Sequence, residues 1–223
     1  MPNDAGYHLS LAARDLVTGR TLTYRPDGRY LAASVAKIAI LAVLLVRARA
    51  EGREPAPEEY SLAEKMITVS DNDAAHTLWH ATGRDTAMAE VNAALGLTET
   101  VTTRESWGLT RTSAADQVRL VTALALGTPV LDRSRCAYVL DLMAAVTADQ
   151  RWGIGSVALP GDRVAVKNGW LDYSGDDGRW TVNSVGRITG GGRDLAVAVL
   201  STGHATLDEG IRAVERAAAT VIT

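Results

Sequence analysis

The stretch SVAKIAILAVLLVRARA, residues 34–50, decides how this chain is built. It is apolar on every side, whereas a surface helix keeps one polar face, so it reads as a helix buried at the centre of the molecule. Two polar side chains stand at its start, Ser34 and Lys37. Three apart, they share a helix face, and the lysine amine comes back towards the serine hydroxyl. Ser34 sits at the helix N-terminus, where free N–H groups and the helix dipole favour developing negative charge. A serine needs a base to become a nucleophile, and a lysine serves only when neutral. Its pKa must then fall from about 10.4, through desolvation and nearby positive charge, and an all-apolar helix provides the first condition. Taken alone, the same pair also reads as an N-capping serine and a lysine reaching for water.

Working outward, residues 7–14 and 21–25 alternate apolar and polar positions about the turn DLVTG and read as a hairpin. EGREPAPEEY reads as a proline-broken surface loop, and Ser61, with Glu64 three residues on, as the capping box that opens the next helix. Helical patterns follow at about 73–82, 85–95, 112–126 and 134–146, punctuated by Gly83 and Gly96. After QRWGIG the periodicity changes. Residues 164–167, 180–188 and 195–201 are β-rich, separated by SGDDG and TGGGR, and 207–221 is a closing amphipathic helix. Strands at both ends with helices between them predict an α+β fold. One antiparallel sheet is assembled from both termini, with flanking helices and a central all-α lobe. A single domain over 1–223 is expected, its sheet lobe at about 1–30 and 155–223 and its helical lobe at about 31–154.

Composition narrows the function. With 47% hydrophobic and 22% charged residues, the composition is that of an ordinary soluble globular protein. Its net charge is −3 and no basic run appears, which argues against nucleic acid or an anionic membrane surface as partner. The longest apolar run, 38–46, is too short for a bilayer core of about 30 Å, so no membrane span is expected. MPNDAGYHLS lacks the basic start and apolar stretch of a signal peptide, so the chain reads as a soluble protein or as a mature form whose export signal was removed. Cys136 is the only cysteine and lies in an apolar helical stretch, so it reads as a buried inert thiol. His76 and His80 in HTLWH are one helical turn apart. The zincin pattern needs a glutamate after the first histidine, and Thr77 stands there, so partly buried structural histidines are expected and no metal. No cofactor is expected either. Trp107, Trp152, Trp170 and Trp180 read by default as core and loop packing, with Trp170 the one to place in a site.

Two more polar motifs remain: Ser70-Asp71-Asn72 between two helices, and Lys167-Asn168-Gly169 at the end of the strand VAVK. Each alone reads as a helix boundary or a strand end. In this order with the serine–lysine pair, they resemble the motif set of the serine β-lactamase and penicillin-binding-protein superfamily, class A β-lactamases in particular. The resemblance runs along nearly the whole chain, and GHATLDEG is similar to the family's entry to its closing helix. It implies a role for each residue. Ser34 becomes acylated and Lys37 takes its proton. Ser70 passes the proton between Lys37, Lys167 and the leaving nitrogen. Asn72 holds Lys37 and the substrate amide, and Lys167 attracts a substrate carboxylate. Asn168 donates to that carboxylate, Gly169 lets substrate lie against the strand, and Arg179 offers a second carboxylate contact. The backbone N–H groups of Ser34 and Trp170 form the oxyanion hole.

The chain also departs from that family. It carries Lys-Asn-Gly where well-known members carry Lys-Thr-Gly. The larger departure is a missing acid: in TETVTTRESWGLTRTSAADQ, residues 98–117, there is no E-x-x-L-N context. Gly108 falls about where the deacylating glutamate belongs, and Glu105 is the one carboxylate placed near. The resemblance therefore implies a serine hydrolase that forms an acyl-enzyme with a carboxylate-bearing amide or ester, of D-Ala-D-Ala peptide or β-lactam type, and releases β-lactams slowly. A true class A-type β-lactamase using Glu105, a biosynthetic acyl transferase and a non-catalytic penicillin sensor stay open. A small-molecule or peptide substrate and a monomer are expected. The expected location is extracellular or in the cell envelope, as for such relatives, or cytoplasmic if Met1 is the native start.

Overall fold

In the computed structural model, residues 7–173 and 178–222 are described. The opening hairpin is β1 (His8–Asp15) and β2 (Thr21–Tyr24), and the late β-rich stretches are β5 (Arg163–Tyr173), β6 (Arg179–Gly190) and β7 (Arg193–His204). They form one antiparallel sheet in the order β2-β1-β7-β6-β5. β1 pairs with β7 from His8↔Thr202 to Asp15↔Leu195, so the sheet is assembled from both ends of the chain, as the sequence predicts. Most of the SGDDG turn and the first six residues of MPNDAGYHLS lie outside the described residues.

The sheet carries helices on both faces because its strands alternate. On β7, Ala196, Ala198 and Leu200 join the core under the helices, while Leu195, Val197 and Val199 join the one beneath α7 (Leu207–Ile222). α1 (Lys37–Ala50) runs through the larger core, and Ile38, Ile40, Leu41 and Ala42 have no exposed surface. Around it stand α3 (Asn72–Ala81), α4 (Arg84–Ala94) and α6 (Arg133–Ala144), and α5 (Ala114–Leu126) packs between α6 and the sheet. Cys136 is buried on α6, and burial pushes its thiol up.

Two local expectations are corrected. EGREPAPEEY is not wholly a loop, because α2 (Pro57–Thr68) begins within it. Pro57 takes the first helical position, where its missing N–H costs nothing, and the Glu59 carboxylate accepts the Ala56 N–H at 2.7 Å. With Glu58 and Glu59 in the first turn, the start lies ahead of Ser61, which is an exposed residue inside the helix. The sequence reading also lacks a second sheet, β3 (Arg29–Leu31) with β4 (Arg111–Ser113). Three-residue strands are too short to show a period. This small sheet matters, because β3 delivers the chain to Ser34.

Candidate active site

Ser34 lies in a 3-10 turn, Ala33–Ala36, that leads directly into α1. The turn is strained: Ala33 has φ +47°, a left-handed conformation that a residue with a Cβ rarely adopts. Its surroundings hold it there. Asn183 on β6 is fully buried and donates to the carbonyls of Leu31 at 2.8 Å and Ala32 at 3.2 Å. Its own oxygen accepts the Ser201 N–H at 3.2 Å, and the Ala32 N–H donates to Thr110 O at 2.7 Å. On the other side lies Gly169. A Cβ there would stand 2.8 Å from Val35 N and 2.9 Å from both Ser34 N and Ala32 O. The close neighbour for which Gly169 makes room is the Ser34 turn itself.

Three elements then bring the polar groups together. The Lys37 side chain has no exposed surface, and Nζ donates to Ser70 O at 2.6 Å and Asn72 Oδ1 at 2.8 Å. Ser70 Oγ lies 3.1 Å from Lys37 Nζ and 2.8 Å from Lys167 Nζ, so one hydroxyl bridges two buried amines. Ser70 is itself at φ +59°, aimed inward by the connection between α2 and α3. Asp71 starts α3 by accepting the Ala74 N–H at 2.7 Å. Desolvation lowers the pKa of Lys37 to about 7, against a partial restoring pull from Asp71. Desolvation holds Lys167 well below the usual lysine range, and the Lys37 charge adds to it. Ammonium groups sharing a hydroxyl in a dry site disfavour each other's protons. If Lys37 is neutral, its two N–H bonds go to Ser70 O and Asn72 Oδ1, and its lone pair accepts from the Ser70 hydroxyl.

A cleft of about 650 Å³ opens over these groups. Ser34 and Asn72 lie in its lining with Trp107, Gly108, Leu109 and Trp170, and α3 adds Asp73 and His76 at the rim. The structure thus gathers Ser34, Lys37, Ser70, Asn72, Lys167, Gly169 and Trp170. Asn168 is different. Alternation along β5 turns it to the face of Val166, and its amide donates to Gln150 O at 2.8 Å and Trp152 O at 3.1 Å. Both donors are taken, so it pins the loop before β5 rather than meeting a carboxylate. Arg179 is exposed, donates to Gly203 O at 2.9 Å, and is not among the residues that line the cleft. Glu105 is exposed in a separate hollow with Arg111 and Val101, on the far side of Leu109.

Sequence reasoning missed other contributors. Trp107, read as packing, places its ring 4.8 Å from Lys37 Nζ. Trp152 does pack, 5.8 Å from the Trp170 ring. His76 and His80 are exposed rather than partly buried, with rings 4.2 Å apart, and His76 faces the cleft. Among the described residues no group of three or more His, Cys, Asp and Glu is placed to hold a metal. Asn183 had no signal in its own stretch. Its role depends on facing Gly169 across β5 and β6, a register that only the fold supplies.

The sequence model of the Beta-lactamase enzyme family matches residues 53–223. No match was found among curated proteins. Solved structures with the same fold include PBP-A, at 19% identity and TM-score 0.84 over 98% of this chain and 90% of that one. A PBP-A variant is solved as an acyl-enzyme complex with penicillin G, at 20% identity and TM-score 0.83 over the same shares. The TLA-1 extended-spectrum β-lactamase matches at 17% identity and TM-score 0.86, over 98% and 93% of the two chains. A β-lactamase from Sphaerobacter thermophilus DSM 20745 matches at 22% identity and TM-score 0.84, over 99% and 92%. The matched family stretch begins after Ser34 and Lys37, and the fold brings Lys37 against it at Ser70 and Asn72, and the Ser34 turn against it at Gly169. The chain is a serine hydrolase and belongs to the Beta-lactamase enzyme family.

Proposed function

We propose that this hydrolase forms an acyl-enzyme on Ser34 with a carboxylate-bearing amide or ester, of D-Ala-D-Ala peptide or β-lactam type, and clears β-lactams slowly. The observation that carries this reading is the Ser70 hydroxyl between two buried lysines, 3.1 Å from Lys37 and 2.8 Å from Lys167. Neutral Lys37 takes the Ser34 proton as the serine oxygen bonds to the substrate carbonyl carbon. The proton passes through Ser70 to the leaving group, and Asn72 keeps Lys37 in line. The N–H groups of Ser34 and Trp170 receive the oxyanion, and Lys167, protonated when an anion arrives, attracts the substrate carboxylate. The acyl-enzyme of the PBP-A variant with penicillin G supports the covalent step. Slow release is supported by the lining of the cleft. Among the described residues the one carboxylate in it is Asp73, and Gly108, which by the sequence reading falls about where the family's deacylating acid belongs, lines it without a side chain.

Intact-mass spectrometry over time, after mixing with a penicillin, tests the proposal. The native protein is expected to gain one penicillin mass and hold it for minutes or longer, because general-base help is worth about 10² to 10⁴ in rate. Ser34→Ala is expected to gain none. Equal labelling of both proteins removes Ser34 as nucleophile. Rapid return to the free mass, lost in Glu105→Gln, makes the protein a lactamase using Glu105. A lasting adduct with no turnover of any ester or D-Ala-D-Ala peptide makes it a sensor.

A further inference from the structure

Each direct hydrogen-bond partner of Lys37 Nζ is a dipole: Ser70 O, Ser70 Oγ and Asn72 Oδ1. Among the described residues no carboxylate forms a salt bridge with it. Asp71, whose charge is felt, spends its carboxylate on the Ala74 N–H at the start of α3. Lys167 approaches from β5 through Ser70 as a second buried amine and supplies no negative charge. Asp73 and His76 lie further out, at the cleft rim. A lysine in this place is easily neutral, and it has little to hold the positive charge it must carry once it has acted as a base. One group is placed to do so: the half-buried ring of Trp107, 4.8 Å from Nζ, on the short loop that replaces the family's acid-bearing one.

We propose that Trp107 is a positioning residue for Lys37, its ring face stabilising the ammonium formed when Lys37 takes the proton of Ser34. In that step the Ser34 O–H bond breaks, its electron pair forms the bond to the substrate carbonyl carbon, and the proton completes a third N–H bond on Lys37. The ring also presents an apolar surface that keeps bulk water from the amine. A cation is attracted to an indole face, most strongly where water is excluded. The inference deepens the acyl-enzyme reading and rests on Lys37 being its base.

The test uses the fact that the chain has only three lysines, Lys37, Lys65 and Lys167. Full-length protein labelled with carbon-13 at lysine Cε gives three resonances, assigned with Lys→Arg variants, and exposed Lys65 serves as the reference. Trp107→Leu keeps an apolar cover and removes the ring face. The Lys37 resonance is expected to titrate about one pH unit lower in this variant. Trp107→Phe should retain most of the native value and keeps the test valid if the leucine variant folds poorly. The rate of Ser34 labelling by a fluorescent penicillin should follow: its acid limb moves down with the titration and its plateau falls about 3- to 10-fold, as a weaker base implies. A Lys37 titration unmoved or raised in Trp107→Leu overturns the inference and makes Trp107 a cover alone. Because that titration needs no substrate, failure of Ser34 to label at all would instead count against the acyl-enzyme reading.

Discussion

Lys37 has no exposed surface, and its amine meets Ser70, Asn72 and the Trp107 ring. A lysine lowered to about 7 in this way is largely neutral in mildly alkaline solution, so acylation is expected to rise with pH through about 7 and then level off. Rapid-mixing measurements of penicillin labelling against pH check the limb. An acid limb well above pH 8 would mean that Lys37 is not the base. Lys37→Arg should be folded by circular dichroism, with labelling slowed at least about 100-fold, since arginine cannot give up its proton. Lys37 and Lys167 can be singled out in the sequence because each sits in a short motif and few lysines compete with them. Asn168 shows where motif reading alone goes astray. It lies in Lys-Asn-Gly and was placed in the site, yet it is one residue from Lys167 on a strand, and the period of two sends it to the other face.

Among the elements, the contact between β5 and the Ser34 turn sets the geometry most tightly. The strand backbone comes so close that a methyl group at Gly169 would sit under 3 Å from three backbone atoms of the turn. Gly169→Ala must therefore move either β5 or the turn, and an ångström of displacement at a reacting group can cost about 100-fold in rate. The expected outcome is labelling of Ser34 slowed by about that factor, with only a modest fall in thermal stability. Near-native labelling would show that the turn adapts. The long elements were legible because each runs far enough to declare itself: α1 by apolar residues on every side, β7 by an unbroken β-rich apolar run from Leu195 to Leu200. The short ones were not. β3 and β4 carry three residues each, and α2 starts at Pro57 because of charges in its first turn rather than any apolar pattern. Trp107, Glu105 and Leu109 lie within five residues of one another, and which of them faces the cleft depends on the path of a loop without periodicity.

For the molecule as a whole, burying two lysines has a cost that varies with pH. Both have lower pKa values folded than unfolded, so between about pH 7 and 10 the unfolded chain binds more protons, and stability rises with pH there. Thermal unfolding should show a midpoint that climbs from pH 7 to about 9.5, and Lys37→Met should climb less. Equal slopes in both proteins would show that Lys37 pays no such cost. The order of strands carries a further consequence, in time rather than energy. β1 is made well before its central partner β7, with residues 16–192 between them. At about 5 to 20 residues per second, a ribosome takes roughly ten to forty seconds to synthesise that interval. During it the opening hairpin has one finished edge and one open edge, while α1 and its neighbouring helices already exist without a sheet to cover them. Throughout that interval the nascent chain displays surfaces that the finished protein hides, and β7 closes them.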